Sequence, residues 1–311
     1  MEKIQIIKGI IFGHAVADAL GVPVEFKTRE YLRKNPVTDM MGYGTYHQPK
    51  GTWSDDTSMT LCTLESITEN KEINLDDIME SFSKWRCFGY MTPNGDCFDI
   101  GNATYSAISN YLEGKEFPYG NNSEYSNGNG SLMRIIPVTL FHTLKKQNPV
   151  KYREDVHNVS MLTHPHIRSV LACGIYDFVL YELIKNPTIE SVKIGLDNAY
   201  SHYKCVEEIK TYTRLLKCDF DKLPENEIKS SGYVVDSLEA AIWCVLNTKS
   251  YEECVLKAVN LGEDTDTVGA IAGGLAGALY GYDAIPEKWI NTLIKKEMIE
   301  KMCEDFTKAF E

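Results

Sequence analysis

Positive charge is in short supply in this 311-residue chain: 32 Lys and Arg stand against 44 Asp and Glu, a formal net charge of −12. No long block of either sign occurs. A nucleic-acid backbone as main partner needs a basic footprint, so that class is set aside. Small anions are not, because metals and helix N-termini can hold them locally. The nine cysteines are scattered singly, with no CxxC and no Cys/His grouping at zinc spacing. That argues against a zinc site or a disulfide frame and for reduced thiols, hence a cytoplasmic protein. Also missing is a stretch apolar for long enough to cross a bilayer. The opening MEKIQIIKGIIFGHAVADALG is briefly apolar, but it holds His14 and Asp18 and has no signal-peptide cleavage pattern. No membrane partner is expected. Internal repeats, low-complexity tracts and runs of alternating strand residues are absent as well.

What is present is helical periodicity almost throughout, with short connections. At 43% hydrophobic residues the chain can bury a substantial core without disulfides or a structural metal. The expected architecture is all-α, one compact multi-helical domain over residues 1–311 with helices packed orthogonally and at assorted angles. Residues 4–20 read as a buried helix, because Gly9, Gly13, Ala15, Ala17 and Ala19 let a second helix approach closely. Gly21 reads as its C-cap and Pro23 as its stop. Glu25, between apolar neighbours, reads locally as a surface-turn glutamate, and residues 26–53 as an irregular loop. Asn74 opens a further helix whose Asp76 and Asp77 are ordinary first-turn acids. Asp99, just ahead of another helical run, reads as an N-cap.

Residues 117–130 form a polar Gly/Asn/Ser loop that breaks into SLMRIIPV. Such a loop running into a helix can offer backbone N–H groups to a phosphate, though no GxGxxG or Walker pattern is present. His164 and His166 precede a long apolar helix, where they cap it or hydrogen-bond a ligand. Residues 217–232 are loop-like, Tyr233 leads into the helix containing EAAIWCVL, and Pro286 opens a closing helix.

Two stretches carry the chemistry. In GTWSDDTSM, Ser54, Asp55 and Asp56 stand where an apolar periodic run begins. A capped, acid-rich helix start explains them, and so does a hard divalent cation seeking oxygen ligands. In LGEDTDTVGAIAGGLAGALYG the same arrangement recurs: Glu263, Asp264, Thr265, Asp266 and Thr267 open a helix. Facing each other across a cleft, the two starts would gather four aspartates that repel one another unless counter-charged. That set suits two cations about 3.5–4 Å apart.

GHAVADALGVPVEF, GTWSDDTSM, FDIGNAT, GNGSLMRIIP, LTHPH, SGYVVDSLEAAIW and LGEDTDTVGAIAGGLAGALYG, in this order, resemble the ADP-ribosylglycohydrolase family, from about residue 5 to residue 290. That family includes the dinitrogenase reductase-activating glycohydrolases and the ADP-ribosyl-acceptor hydrolases. The resemblance implies an all-α fold and a binuclear Mg²⁺ or Mn²⁺ centre that binds the distal ribose of ADP-ribose. By position it makes Ser54, Asp55, Asp56, Asp264, Asp266 and Thr267 metal ligands, and puts Glu25 at or beside the metals and Asp99 near the reacting centre, with Glu25 or Asp99 as general base or acid. It places Asn129, Gly130 and Ser131 in the phosphate- and ribose-holding loop, His164 at a polar ligand contact and Tyr233 against the nucleotide. Ala17 departs from the Gly the family often has before the aspartate, a small-for-small packing change.

The function so implied is cleavage of the bond between the distal ribose and a modified acceptor, a protein side chain such as Arg or Ser or a small-molecule conjugate, releasing ADP-ribose. Two other readings are weighed: a non-catalytic crystallin-like relative that only binds ADP-ribose, and a metal-dependent nucleotide phosphohydrolase. Clustered acids argue against the first, and product identity separates the second. Acceptor choice is expected to lie in the cleft rim, residues 28–50 and 117–128.

Overall fold

A computed structural model of the chain describes residues 2–146, 149–217 and 219–311. Among these, fourteen α-helices follow one another: α1 (Lys3–Gly21), α2 (Arg29–Lys34), α3 (Asp55–Asn70), α4 (Leu75–Phe88), α5 (Asn102–Leu112), α6 (Ile136–Leu144), α7 (Pro149–Met161), α8 (Ile167–Lys185), α9 (Ile189–Tyr203), α10 (Val234–Leu246), α11 (Tyr251–Asn260), α12 (Thr265–Tyr280), α13 (Glu287–Ile290) and α14 (Lys296–Ala309). No strand forms among the described residues, where one isolated β-bridge joins Gly128 to Tyr233. The all-α expectation is met.

Small residues decide how the centre is built. The Gly/Ala face of α1 lies against the equally small-sided α12, and a Cβ on Gly13 would sit 2.5 Å from the Gly273 carbonyl oxygen. Only hydrogen fits there, so the two backbones touch. Polar groups exposed by this approach find partners: Tyr251 Oη donates to the Gly13 carbonyl at 2.6 Å, and His14 Nδ1 lies 3.1 Å from the Ala270 carbonyl. Around this pair pack α3, α8, α10, α11 and α14. Trp53, Trp85, Phe12, Phe82 and Phe306 are fully buried in the shared core. Each large apolar side chain so removed from water contributes about 1.5–3 kcal/mol.

The helix starts follow local chemistry. Asn74 caps α4 by accepting from the Asp77 amide at 3.1 Å, and His166 caps α8 by accepting from the Arg168 amide at 3.2 Å. Such caps each contribute about 1 kcal/mol.

Several expectations need correction. Gly21 is no left-handed cap: its φ is −79°, and the chain continues into a 3₁₀ turn at Val22–Val24. It is small because α12 begins against it. Residues 26–53 are not wholly irregular, since Thr28 accepts from the Tyr31 amide at 3.2 Å and starts α2. The polar loop does not run straight into a helix either: turns occupy Ser131–Arg134 and α6 opens at Ile136, where Pro137 suits the first turn. The closing segment is two helices, broken before Lys295, whose φ is 54°, where the Ile294 amide bonds the Gly51 carbonyl at 3.0 Å. Finally, Lys3–Val24 does reach the length and apolarity of a membrane span, with a mean hydropathy of 1.4. It is apolar because it is the core helix, with 89% of its most apolar 18-residue stretch buried within the fold.

Candidate metal centre and active site

The first acidic motif is held from below by an aspartate on α1. Asp18 is wholly buried; its two oxygens accept from the Ser54 amide at 2.9 and 3.1 Å. Its Oδ2 also takes the Thr57 amide at 3.1 Å and the Thr57 hydroxyl at 2.6 Å. Ser54 is the N-cap of α3; its hydroxyl accepts from the Asp56 amide and donates to Asp56 Oδ2 at 2.8 Å. The second motif starts α12 directly opposite, anchored by the Thr265 hydroxyl on the Gly21 carbonyl at 2.8 Å. The motifs meet where Thr267 Oγ1 donates to Asp56 Oδ2 at 3.3 Å.

Glu25 and Asp99 complete the ring of acids. Glu25 is 5% exposed, which overturns its reading as a surface turn. Asp99 is not a helix cap, since Gly101 occupies that position on α5; its φ is 61° and its Oδ1 accepts from Tyr46 Oη at 2.5 Å. One carboxylate oxygen from each of Glu25, Asp99 and Asp266 lies within 4.8 Å of the others, and the same holds for Asp18, Asp56 and Asp266. Asp266 belongs to both groups. Two backbone bonds clip the loops that carry these acids: Phe26 N to Glu263 O at 2.7 Å and Glu263 N to Lys27 O at 2.8 Å. From α2, the Arg29 guanidinium ties down the Leu261, Glu225 and Ile228 carbonyls at 2.6–2.7 Å.

A cleft of about 660 Å³ opens over the acids, lined by Glu25, Asp55, Asp99, Asp264 and Thr267 among others. Asn129, Gly130 and His164 line it too. Asn129 Nδ2 donates to Asp264 Oδ2 at 2.7 Å, joining the polar loop to the acids. His164 is buried against Gly130, and burial lowers its pKa to about 3, so it is a neutral hydrogen-bonding group. Two residues stand apart. The Ser131 hydroxyl accepts from Ser160 Oγ at 2.9 Å and lies 3.5 Å from Cys173 Sγ, turned into the core. Tyr233 lies in an adjoining depression that shares Tyr125, Gly128 and Gly232 with the cleft, with the Arg168 guanidinium 5.8 Å from its ring.

Burial, reinforced by neighbouring acids, raises every carboxylate here. Glu25 is pushed up to about 9, its burial compounded by the charge on Asp99. Burial moves Asp18 to about 7 and Asp99 to about 6, against the opposing hydrogen bonds each accepts. Asp55, Asp56 and Asp266 rise well above the usual carboxylate range for the same two reasons. Asp56 Oδ1, Asp264 Oδ1, Asp266 Oδ2 and Glu25 Oε2 are buried with no hydrogen-bond partner among the described residues. Hard, all-oxygen donors aimed inward and left unsatisfied fit divalent cations, which would supply the missing charge.

A stability test follows. Raised carboxylates bind protons in the folded state that the unfolded chain has already lost, so stability falls as pH climbs from about 4 toward 9. Chelated protein is expected to melt lower at pH 8 than at pH 5, by about 2–4 kcal/mol of stability. Adding Mg²⁺ or Mn²⁺ at pH 8 should reverse the loss. Thermal melts that ignore both pH and cation would contradict this.

Sequence reasoning passed over Asp18, Tyr46 and Phe26. Asp18 had a signal, as the sole acid in an otherwise apolar helix; Tyr46 and Phe26, in a loop without period, had none.

The family model described as ADP-ribosylglycohydrolase matches residues 2–311. An ADP-ribosylarginine hydrolase Tri1 of Serratia proteamaculans is 35% identical over 304 residues, covering 97% of this chain and 79% of that one. An ADP-ribosyl-[dinitrogen reductase] glycohydrolase of Rhodospirillum rubrum is 32% identical, covering 93% and 90%. A solved structure titled as an ADP-ribosylglycohydrolase-related protein complex superposes with a TM-score of 0.84 at 28% identity, over 100% of this chain and 99% of that one.

Proposed function

Because the chain belongs to the ADP-ribosylglycohydrolase family and hydrolyses ADP-ribosyl glycosidic bonds, we propose that its acceptor is arginine in ADP-ribosylated protein and that two Mg²⁺ or Mn²⁺ ions serve the reaction. The observation carrying the metal reading is the set of orphaned carboxylate oxygens on two facing helix starts. The arginine reading is supported by the named activity of the Serratia relative. Asp55, Asp56, Asp264, Asp266 and Thr267 would hold the ions, with Ser54 orienting Asp56. Ions held by these residues would supply Lewis acidity toward the hydroxyls of the distal ribose.

The chain's own groups do the rest. Asn129 and Gly130 position the nucleotide end, with neutral His164 behind them. Carboxylates surrounding the sugar stabilise the positive charge that develops as the glycosidic bond breaks. Glu25 and Asp99, which line the cleft, serve as acid and base, giving a proton to the departing nitrogen and taking one from the attacking water, a service typically worth 10²–10⁴-fold. Tyr46, its own proton held by burial and by both acids, keeps Asp99 oriented. The eight cysteines among the described residues are free thiols, which supports work in the reducing cytoplasm.

The test is product analysis by mass spectrometry on ADP-ribosylated peptides linked through Arg, Ser, Cys or Glu, with Mg²⁺ present. Loss of the arginine-linked peptide with release of intact ADP-ribose is expected. Selective loss of another linkage would refute the arginine reading, and release of phosphate or a mononucleotide would refute the glycosidase mechanism.

A further inference from the structure

Phe26 breaks two rules at once. Its ring is 67% exposed at the cleft, and its backbone takes a φ of 64°, a region bulky side chains avoid. The fold holds it there deliberately: its amide is bonded to the Glu263 carbonyl, and the next residue's carbonyl takes the Glu263 amide. The ring follows Glu25 directly in sequence and lies 6.4 Å from Tyr46, which in turn lies 5.0 Å from Phe98 and donates to Asp99. An aromatic row thus stands beside the two carboxylates of the acid/base pair. The polar loop reaches the same cleft, where Asn129 bonds Asp264 at 2.7 Å.

We propose that Phe26 is a specificity-determining residue: its ring is the face on which the planar guanidinium of the arginine acceptor stacks while Glu25 and Asp99 take its N–H edge. The inference rests on the arginine reading above and extends it to a residue. A guanidinium is flat, weakly hydrated and permanently charged, so it stacks on an aromatic face and bonds carboxylates edgewise at the same time. A hydroxyl-linked acceptor offers neither the plane nor the charge.

Steady-state kinetics on an arginine-linked ADP-ribosyl peptide, with inhibition by free ADP-ribose measured alongside, test it. Phe26→Ala and Phe26→Leu should raise KM roughly five- to tenfold with the Ki of ADP-ribose within about twofold of wild type. Phe26→Trp should keep the wild-type KM. Because the ring is exposed, all three should fold, which melting curves check. An unchanged KM in Phe26→Ala overturns the proposal, as does a wild-type KM in Phe26→Leu, which would make the contact merely apolar. A parallel rise in the Ki of ADP-ribose also overturns it, by assigning the ring to the nucleotide. Wild-type enzyme that cleaves only other linkages removes the arginine reading itself, and this inference with it.

Discussion

Replacing Asp266 with Asn is expected to lower turnover by about 10³-fold or more and divalent-cation affinity by more than about 100-fold. No other carboxylate belongs to both acidic groups: one of its oxygens lies within 4.8 Å of Asp18 and Asp56 oxygens, and one likewise of Glu25 and Asp99 oxygens. Its Oδ1 accepts from the Thr267 amide at 3.0 Å, while its buried Oδ2 has no hydrogen-bond partner among the described residues. The amide keeps the shape of the side chain, so the start of α12 should survive. What is lost is the negative charge that a cation needs. Cation binding by calorimetry and ADP-ribose release read the two effects separately. An Asp266→Asn enzyme with full cation-dependent turnover would show that the acids are not a metal centre.

The second large effect is expected from a single methyl group. In Gly21→Ala the new Cβ would stand 2.3 Å from the Asp266 Cα, 2.4 Å from its amide nitrogen and 2.5 Å from the Thr265 carbonyl carbon. All three are backbone atoms, so no side-chain rotation relieves the clash. Either the last turn of α1 or the first turn of α12 must shift. Overpacking of this kind costs about 1–3 kcal/mol. The functional cost should be larger, because a misplacement of about 1 Å can cost 10²-fold in rate. Thermal melts together with turnover at saturating Mg²⁺ check it. A folded Gly21→Ala enzyme with wild-type kcat would mean that the contact between these helices does not fix the site.

Gly21 also marks where the sequence stopped being readable. The small face of α1 announced a close helix neighbour through spacing alone, because 3.6-residue periodicity is local information. Which helix it meets is not local: α12 lies about 250 residues on, and only the closed fold brings Gly13 to Gly273. The same division runs through the site. Ser54-Asp55-Asp56 and Asp264-Thr265-Asp266 stood out because acids and hydroxyls cluster at helix starts, where capping and charge preferences are strong. Asp18, which bonds the first cluster from another helix, is a lone residue whose role exists only in three dimensions. Glu25 and Asp99 look like a turn glutamate and a helix cap because neither sits in a periodic run that would mark a buried face. Family resemblance, not patterning, raised them. Ser131, also raised by the resemblance, turns its hydroxyl toward Cys173 and Ser160, a direction that no local pattern encodes.

If the facing acidic helix starts hold divalent cations as proposed, this ADP-ribosyl hydrolase depends on them for turnover. The most direct test is release of free ADP-ribose from an arginine-linked peptide by one enzyme preparation, as purified, after chelation, and after Mg²⁺ or Mn²⁺ is restored. Turnover should vanish with the chelator and return with the cation. Undiminished release of ADP-ribose in excess chelator would contradict the claim outright.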